Sequence, residues 1–164
     1  MAIVVNNPAA GNFAANYGMF EDNTTQLSGG STSANLMLLG TTDYSNGVSV
    51  VSGSRITIAT TGIYNIQFSA QFARAAGTGF ATVEVWLAKN GANVAGSNGQ
   101  VNVPLSGGRN IAAWNYLADV SSGDYFQLYW SSTDANIELL ASAAGTNPTR
   151  PTTPSVIVTV TQVA

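Results

Sequence analysis

A chain of 164 residues fits one domain and buries roughly 70% of the surface its unfolded form exposes, so it needs no covalent staples. It contains no cysteine and no histidine, which removes disulfides, thiolate metal sites, cysteine nucleophiles, the usual general base and the commonest zinc ligand. Only 8% of its residues are charged, against about 25% in an ordinary soluble domain, and its net charge is -3, so little on its surface opposes association.

Taken in chain order, residues 1–16 read as an arm and residues 17–164 as the folded domain. The opening MAIVVNNPAAGNF lacks a basic n-region, and its apolar run Ala2, Ile3, Val4, Val5 is broken by Asn6, Asn7 and Pro8, so it is not expected to be a signal peptide. Asn23-Thr24-Thr25 is read as a polar turn rather than a glycosylation acceptor. Turn signals recur at short intervals, as at Asn46-Gly47, Ser52-Gly53, Asn90-Gly91, Asn98-Gly99 and Ser122-Gly123-Asp124, with runs rich in β-branched and aromatic residues between them. The strands this predicts are Tyr17–Phe20, Asn35–Leu39, Val48–Val51, Arg55–Ala59, Gly62–Arg74, Ala81–Lys89, Asn110–Asp119, Tyr125–Ser131, Asn136–Ala141 and Ser155–Val163. About ten short strands, with little helix, predict an all-β, two-sheet antiparallel sandwich. Two stretches read as long loops, Gly91–Gly108 and the proline-rich Ala143–Pro154.

The clearest of these strands is GIYNIQFSAQF, Gly62–Phe72, where Tyr64, Ile66, Phe68, Ala70 and Phe72 alternate with Asn65, Gln67, Ser69 and Gln71. Its polar face carries amides in place of the lysines and glutamates of an ordinary solvated strand, a composition suited to a partner. In Tyr125–Trp130 both faces are bulky, with Phe126, Leu128 and Trp130 opposite Tyr125, Gln127 and Tyr129. The same holds for Asn110–Asp119, where Ile111, Ala113 and Leu117 oppose Trp114 and Tyr116. Only one side of a sandwich strand faces the core, so the other is expected to meet another subunit or a covering loop.

Chemistry-bearing groups are sparse. Lys89, the only lysine, and Ser97 are possible members of a serine–lysine pair, though a solvated turn lysine is the simpler reading. Asp119 and Asp124 flank the SSG turn and are expected to cap it rather than to act as paired carboxylates. Asp134, Asn136 and Glu138 alternate at a strand start and offer three oxygens to Ca²⁺, fewer than its usual six to eight. Trp114 and Trp130 suit a sugar platform if exposed and a core or interface if not. No cofactor is expected. The five basic residues are scattered singly, so no nucleic-acid footprint is expected, and no apolar run reaches the roughly 20 residues of a membrane span.

Four segments in order carry a resemblance: Gly62-Ile63-Tyr64 opening the long strand, LAKNGANV at Leu87–Val94, Gly123-Asp124 followed by Phe126 and Leu128, and the closing strand Pro154–Val163. Together they resemble the jelly roll of tumour necrosis factor and the globular heads of the complement first component, over roughly Tyr17–Val163. In wording, TTGIYNIQFSAQF, AAWNYLADVSSGDYFQLYWS and PSVIVTVTQV resemble small jelly-roll structural proteins of tailed phages, particularly those of cyanobacteria and marine bacteria. The collagen stalk and clustered calcium site of the complement relatives are missing. The resemblance implies a homotrimer displayed on a virion, with Gly62–Phe72, Tyr125–Ser131 and Ser155–Val163 near the threefold axis. The expected function is a non-enzymatic capsid decoration or cement protein, made in the host bacterial cytoplasm and partnered by a major capsid protein. Gln67, Gln71, Tyr125, Gln127 and Tyr129 are the expected trimer interface, and Ala2, Ile3, Val4 and Val5 the capsid anchor. The alternatives are a tail-fibre tip or receptor-binding head whose loops Gly91–Gly108 and Ala143–Pro154 grip host glycans, and a free lectin-like adhesin.

Overall fold

The computed structural model describes residues 15–164, and Ala2, Ile3, Val4 and Val5 lie outside the described residues. The described chain contains no helix; its strands are β1 (Tyr17–Asp22), β2 (Gln26–Leu27), β3 (Asn35–Leu36), β4 (Thr41–Asn46), β5 (Val48–Val51), β6 (Arg55–Ile58), β7 (Gly62–Arg74) and β8 (Ala81–Lys89). They continue with β9 (Ala92–Asn93), β10 (Gly99–Val103), β11 (Arg109–Val120), β12 (Tyr125–Ser132), β13 (Ile137–Leu139), β14 (Gly145–Thr146), β15 (Thr149–Arg150) and β16 (Val156–Gln162).

Two seven-stranded antiparallel sheets form the sandwich, with β14 and β15 a separate small hairpin. In the first sheet β7 is the spine. It pairs with β11 along nearly its whole length, and on its other edge with β16 and then, at its end, with β13. Beyond β16 lie β1 and the edge strand β4, and beyond β13 lies β2. The second sheet runs β10-β8-β12-β6-β5, with β3 continuing the β6 side of β12 and β9 the β10 side of β8.

The period-two pattern decides what enters the core. From the first sheet come Phe20, Tyr64, Ile66, Phe68, Phe72, Val158 and Val160, and from the second Ile56, Val83, Val85, Leu87, Phe126, Leu128 and Trp130, all buried. Each large apolar side chain so placed contributes about 1.5–3 kcal/mol relative to exposure. Phe72 and Trp130 meet across the two sheets with ring centroids 5.4 Å apart. One margin closes through β11 and β10: the Trp114 ring packs edge-on to Phe68 at 4.8 Å and lies against Gly99, where a Cβ atom would come within 2.6 Å of the indole. The indole N–H donates to the Tyr116 hydroxyl (2.8 Å), which donates to the Ser97 carbonyl (2.9 Å).

Several elements differ from the sequence expectation. The described residues form sixteen strands rather than about ten. The stretch Gly91–Gly108, read as a loop, contains β9 and β10, and Ala143–Pro154 contains the β14–β15 hairpin. These strands are short or flanked by glycine, so alternation has little room to show. β4, Thr-Thr-Asp-Tyr-Ser-Asn, is exposed throughout and pairs along one edge only, so burial imposes no pattern on it. Met37 and Leu39 are buried while Leu38 is exposed, which makes the apolar run Leu36–Leu39 an extended segment, although only Asn35–Leu36 pairs as strand.

Candidate interaction surfaces

Directly opposed residues in an antiparallel ladder share a face, so the register maps the outer face of the first sheet row by row. One row reads Asn115, Gln67, Thr159, Met19, Tyr44 across five strands. The next is Leu117, Asn65, Thr161, Tyr17, Asn46, and on the other side lies Ala113, Ser69, Ile157, Glu21, Thr41. Fifteen positions thus carry a single charge, Glu21, in an outer row. The face is also partly apolar: Leu117 is 68% exposed, Tyr44 65% and Tyr17 45%. The Asn115 amide donates to the Asn65 side chain (3.1 Å), and Gln67 is exposed.

The five residues grouped from sequence as one interface separate onto two faces. Gln67 and Gln71 lie on this outer face, whereas Tyr125, Gln127 and Tyr129 lie on the outer face of the second sheet, across the core. There they are engaged within the chain. Gln127 is buried and its amide donates to Ser54 Oγ (3.0 Å), Tyr125 lies under the Arg55 guanidinium at 4.9 Å, and Tyr129 stacks on Trp86 at 5.7 Å. The Trp86 indole N–H in turn donates to Asn93 (2.9 Å). The partners of Gln67 that sequence reasoning missed are Asn115 and Thr159 in its own row and Leu117 in the next. The alternation of Ile111, Ala113 and Leu117 against Trp114 and Tyr116 was legible, but not which set faces inward: Trp114 and Tyr116 pack on the core, and Ile111 and Leu117 point out.

Of the other polar groups singled out in the sequence, Lys89, Ser97, Asp124, Asp134 and Asn136 are held by partners within the chain. Lys89 Nζ pairs with Asp124 (2.8 Å) and donates to the Asp119 carbonyl (2.8 Å), while Ser97 Oγ donates to the Val94 carbonyl (2.8 Å) and accepts from the Leu87 amide (3.1 Å). Asp124 also accepts from Asn90 Nδ2 (2.7 Å) and the Ser121 amide (2.8 Å). The hydrogen bond from Lys89, then those from Asn90 and Ser121, lower its pKa to about 2. Asp134 precedes its strand, where it accepts from the amide and side chain of Asn136 (both 2.8 Å) and pairs with the buried Arg74. Bonds from the Asn136 amide and from Arg74 lower its pKa too. Asp134 and Asn136 therefore bond to each other in a turn instead of projecting in parallel from a strand, and no cluster of three or more acidic ligands exists among the described residues. Trp130 is fully buried and its indole N–H has no acceptor; Trp114 packs on the core as described.

The two sheets and their strand order define a jelly-roll sandwich of the tumour necrosis factor type. Crystal structures of murine APRIL at pH 8.5, 8.0 and 5.0, a tumour necrosis factor family jelly roll, superpose with a TM-score of 0.53, covering 91% of this chain and 99% of theirs at 10%, 10% and 8% identity. At that identity the likeness is one of fold. No protein-family model matches the chain, and no curated protein matches it.

Proposed function

We propose that this protein is a non-enzymatic virion structural protein, a homotrimer that decorates and stabilises a phage capsid. The observation that carries the reading is the almost uncharged, partly apolar outer face of the first sheet, since charged residues are depleted where subunits meet. Each protomer packs that face on its sisters, and the trimer presents three copies of the apolar segment Ala2 to Val5 to the major capsid protein. Three linked attachments raise avidity by about 10²–10⁴ over one when the geometry lets all engage. The resemblance of the sequence to phage structural proteins supports the virion assignment, and the tumour necrosis factor type of fold supports the trimer.

The test is the position and copy number on purified particles. Hundreds of copies over the head, lost when residues 2–12 are deleted, are the expected result. A few copies at the tail would instead assign the protein to a fibre tip or receptor-binding head, and recovery free of particles would remove it from the virion.

A further inference from the structure

On the outer face of the first sheet, where β7 loses β16 and gains β13, the chain forms a half-open recess of about 440 Å³. Its floor is the β7–β11 ladder, with Gln71 opposite Ile111 and Arg109 two pairs further on opposite Ala73. Its wall is the chain leaving β13. The Leu140 amide donates to the Gln71 carbonyl (2.8 Å), and Ser142 and Thr153 exchange two backbone hydrogen bonds of 2.9 Å. The two stretches read from sequence as long loops, Gly91–Gly108 and Ala143–Pro154, thus meet at one recess, the first through Arg109 just past its end and the second through Thr153.

What the recess offers is specific. Among the described residues Arg74 and Lys89 are paired with Asp134 and Asp124, and Arg55 lies on the Tyr125 ring. Arg109 and Arg150 have no such partner among the described residues, and of the two it is Arg109, exposed, that lines this recess. The hydroxyls of Ser142 and Thr153 and the carbonyl oxygen of the Gln71 side chain are likewise unengaged by the described residues, and Ile111 and Leu140 supply an apolar flank. One guanidinium fork matches a carboxylate, uncharged hydroxyls and an amide match ligand hydroxyls, and the apolar flank matches the C–H face of a sugar ring. The volume lies within the roughly 300–1,000 Å³ of ligand sites.

We propose that this recess binds a carboxylate-bearing sugar, of the uronic or sialic acid class, with Arg109 on the carboxylate and Gln71, Ser142 and Thr153 on the hydroxyls. The inference goes beyond the virion reading and does not depend on it: Gln71 with Ile111, and Ala73 with Arg109, lie one and two rows beyond the fifteen positions assigned to the subunit contact, at the end of the face. A single ion pair and no aromatic platform make the site weak, with a dissociation constant near ~1 mM for a monosaccharide.

The experiment is an NMR titration of the full-length protein with glucuronic acid and N-acetylneuraminic acid, with glucose and acetate as controls. Saturable shifts of the amides of Gln71, Ile111, Leu140 and Ser142 are expected with at least one acid, together with at least tenfold weaker binding of both controls. Arg109→Gln, at an exposed strand start, should keep the wild-type melting temperature and weaken binding at least tenfold. Thr153→Val should weaken it several-fold. No saturable shifts with either acid would overturn the proposal, as would acetate binding as tightly as the acid or Arg109→Gln leaving affinity unchanged.

Discussion

Gln67→Glu introduces one carboxylate into the row Asn115, Gln67, Thr159 without changing side-chain length. In a monomer Gln67 is exposed, and such a change alters stability by no more than about 0.5 kcal/mol. In a trimer built on this face the carboxylate loses water with no cation to replace it. The nearest basic side chain on the face is Arg109, three rows along opposite Ala73, and six residues at ~3.3 Å each place it about 20 Å away, beyond the ~8 Å Debye length. Burying an unpaired charge costs several kcal/mol in a dry site. At about 2 kcal/mol per copy, allowing for water at the rim, the trimer loses about 6 kcal/mol, or roughly four orders of magnitude in its association constant at ~1.4 kcal/mol per tenfold. Sedimentation at micromolar concentration should therefore give a wild-type particle of three 16.9 kDa chains and a Gln67→Glu protein of one. Gln67→Ser, polar and uncharged, should remain associated. A monomeric wild type, or a Gln67→Glu protein that associates as tightly as wild type, would refute the reasoning.

Three further outcomes follow from interactions inside the protomer. The depressed pKa of Asp124 means that its ionised form contributes stability fully above the ordinary carboxylate pKa, and that this is lost as pH falls through about 2; thermal melts between pH 5 and 2 should show a decline that is shallower in Asp124→Asn. Arg74→Met strips the buried partner from Asp134 and a donor from the Gly79 carbonyl (2.8 Å), and because Asp134 retains some solvent the cost falls at the lower end of the range for broken buried pairs, about 3 kcal/mol. That corresponds to about 6–12 °C in Tm by circular dichroism, and a shift under about 2 °C would show the pair to be dispensable. Gly99→Ala places a methyl group 2.6 Å from the Trp114 ring, so the indole must move; a loss of about 1–3 kcal/mol with an altered near-ultraviolet spectrum is expected, and an unchanged spectrum would place the ring elsewhere.

Most of the sandwich was legible in the chain because burial on one side writes itself into every second residue. Val48–Val51, Gly62–Arg74 and Ala81–Lys89 have the bounds read from sequence, and each carries buried residues on the core side. Where burial is absent the signal is absent too, as in the fully exposed β4. The turn chemistry was equally local: Gly47, Gly91 and Gly123 all adopt the positive φ that their Asn-Gly and Ser-Gly contexts suggested.

Alternation along one strand also established that Gln67 and Gln71 share a face, and that Tyr125, Gln127 and Tyr129 share another. It could not establish whether the two faces are one, because that depends on which sheet each strand joins. Only pairing decided it, setting β7 in one sheet and β12 in the other, closing Gln127 against Ser54, and turning Leu117 and Ile111 outward beside Gln67 and Gln71. Strand character is a property of near neighbours in sequence and is visible there. The uncharged face and the recess beside Arg109 are made by residues far apart in the chain, brought together by hydrogen-bond register, and so exist only in the folded molecule.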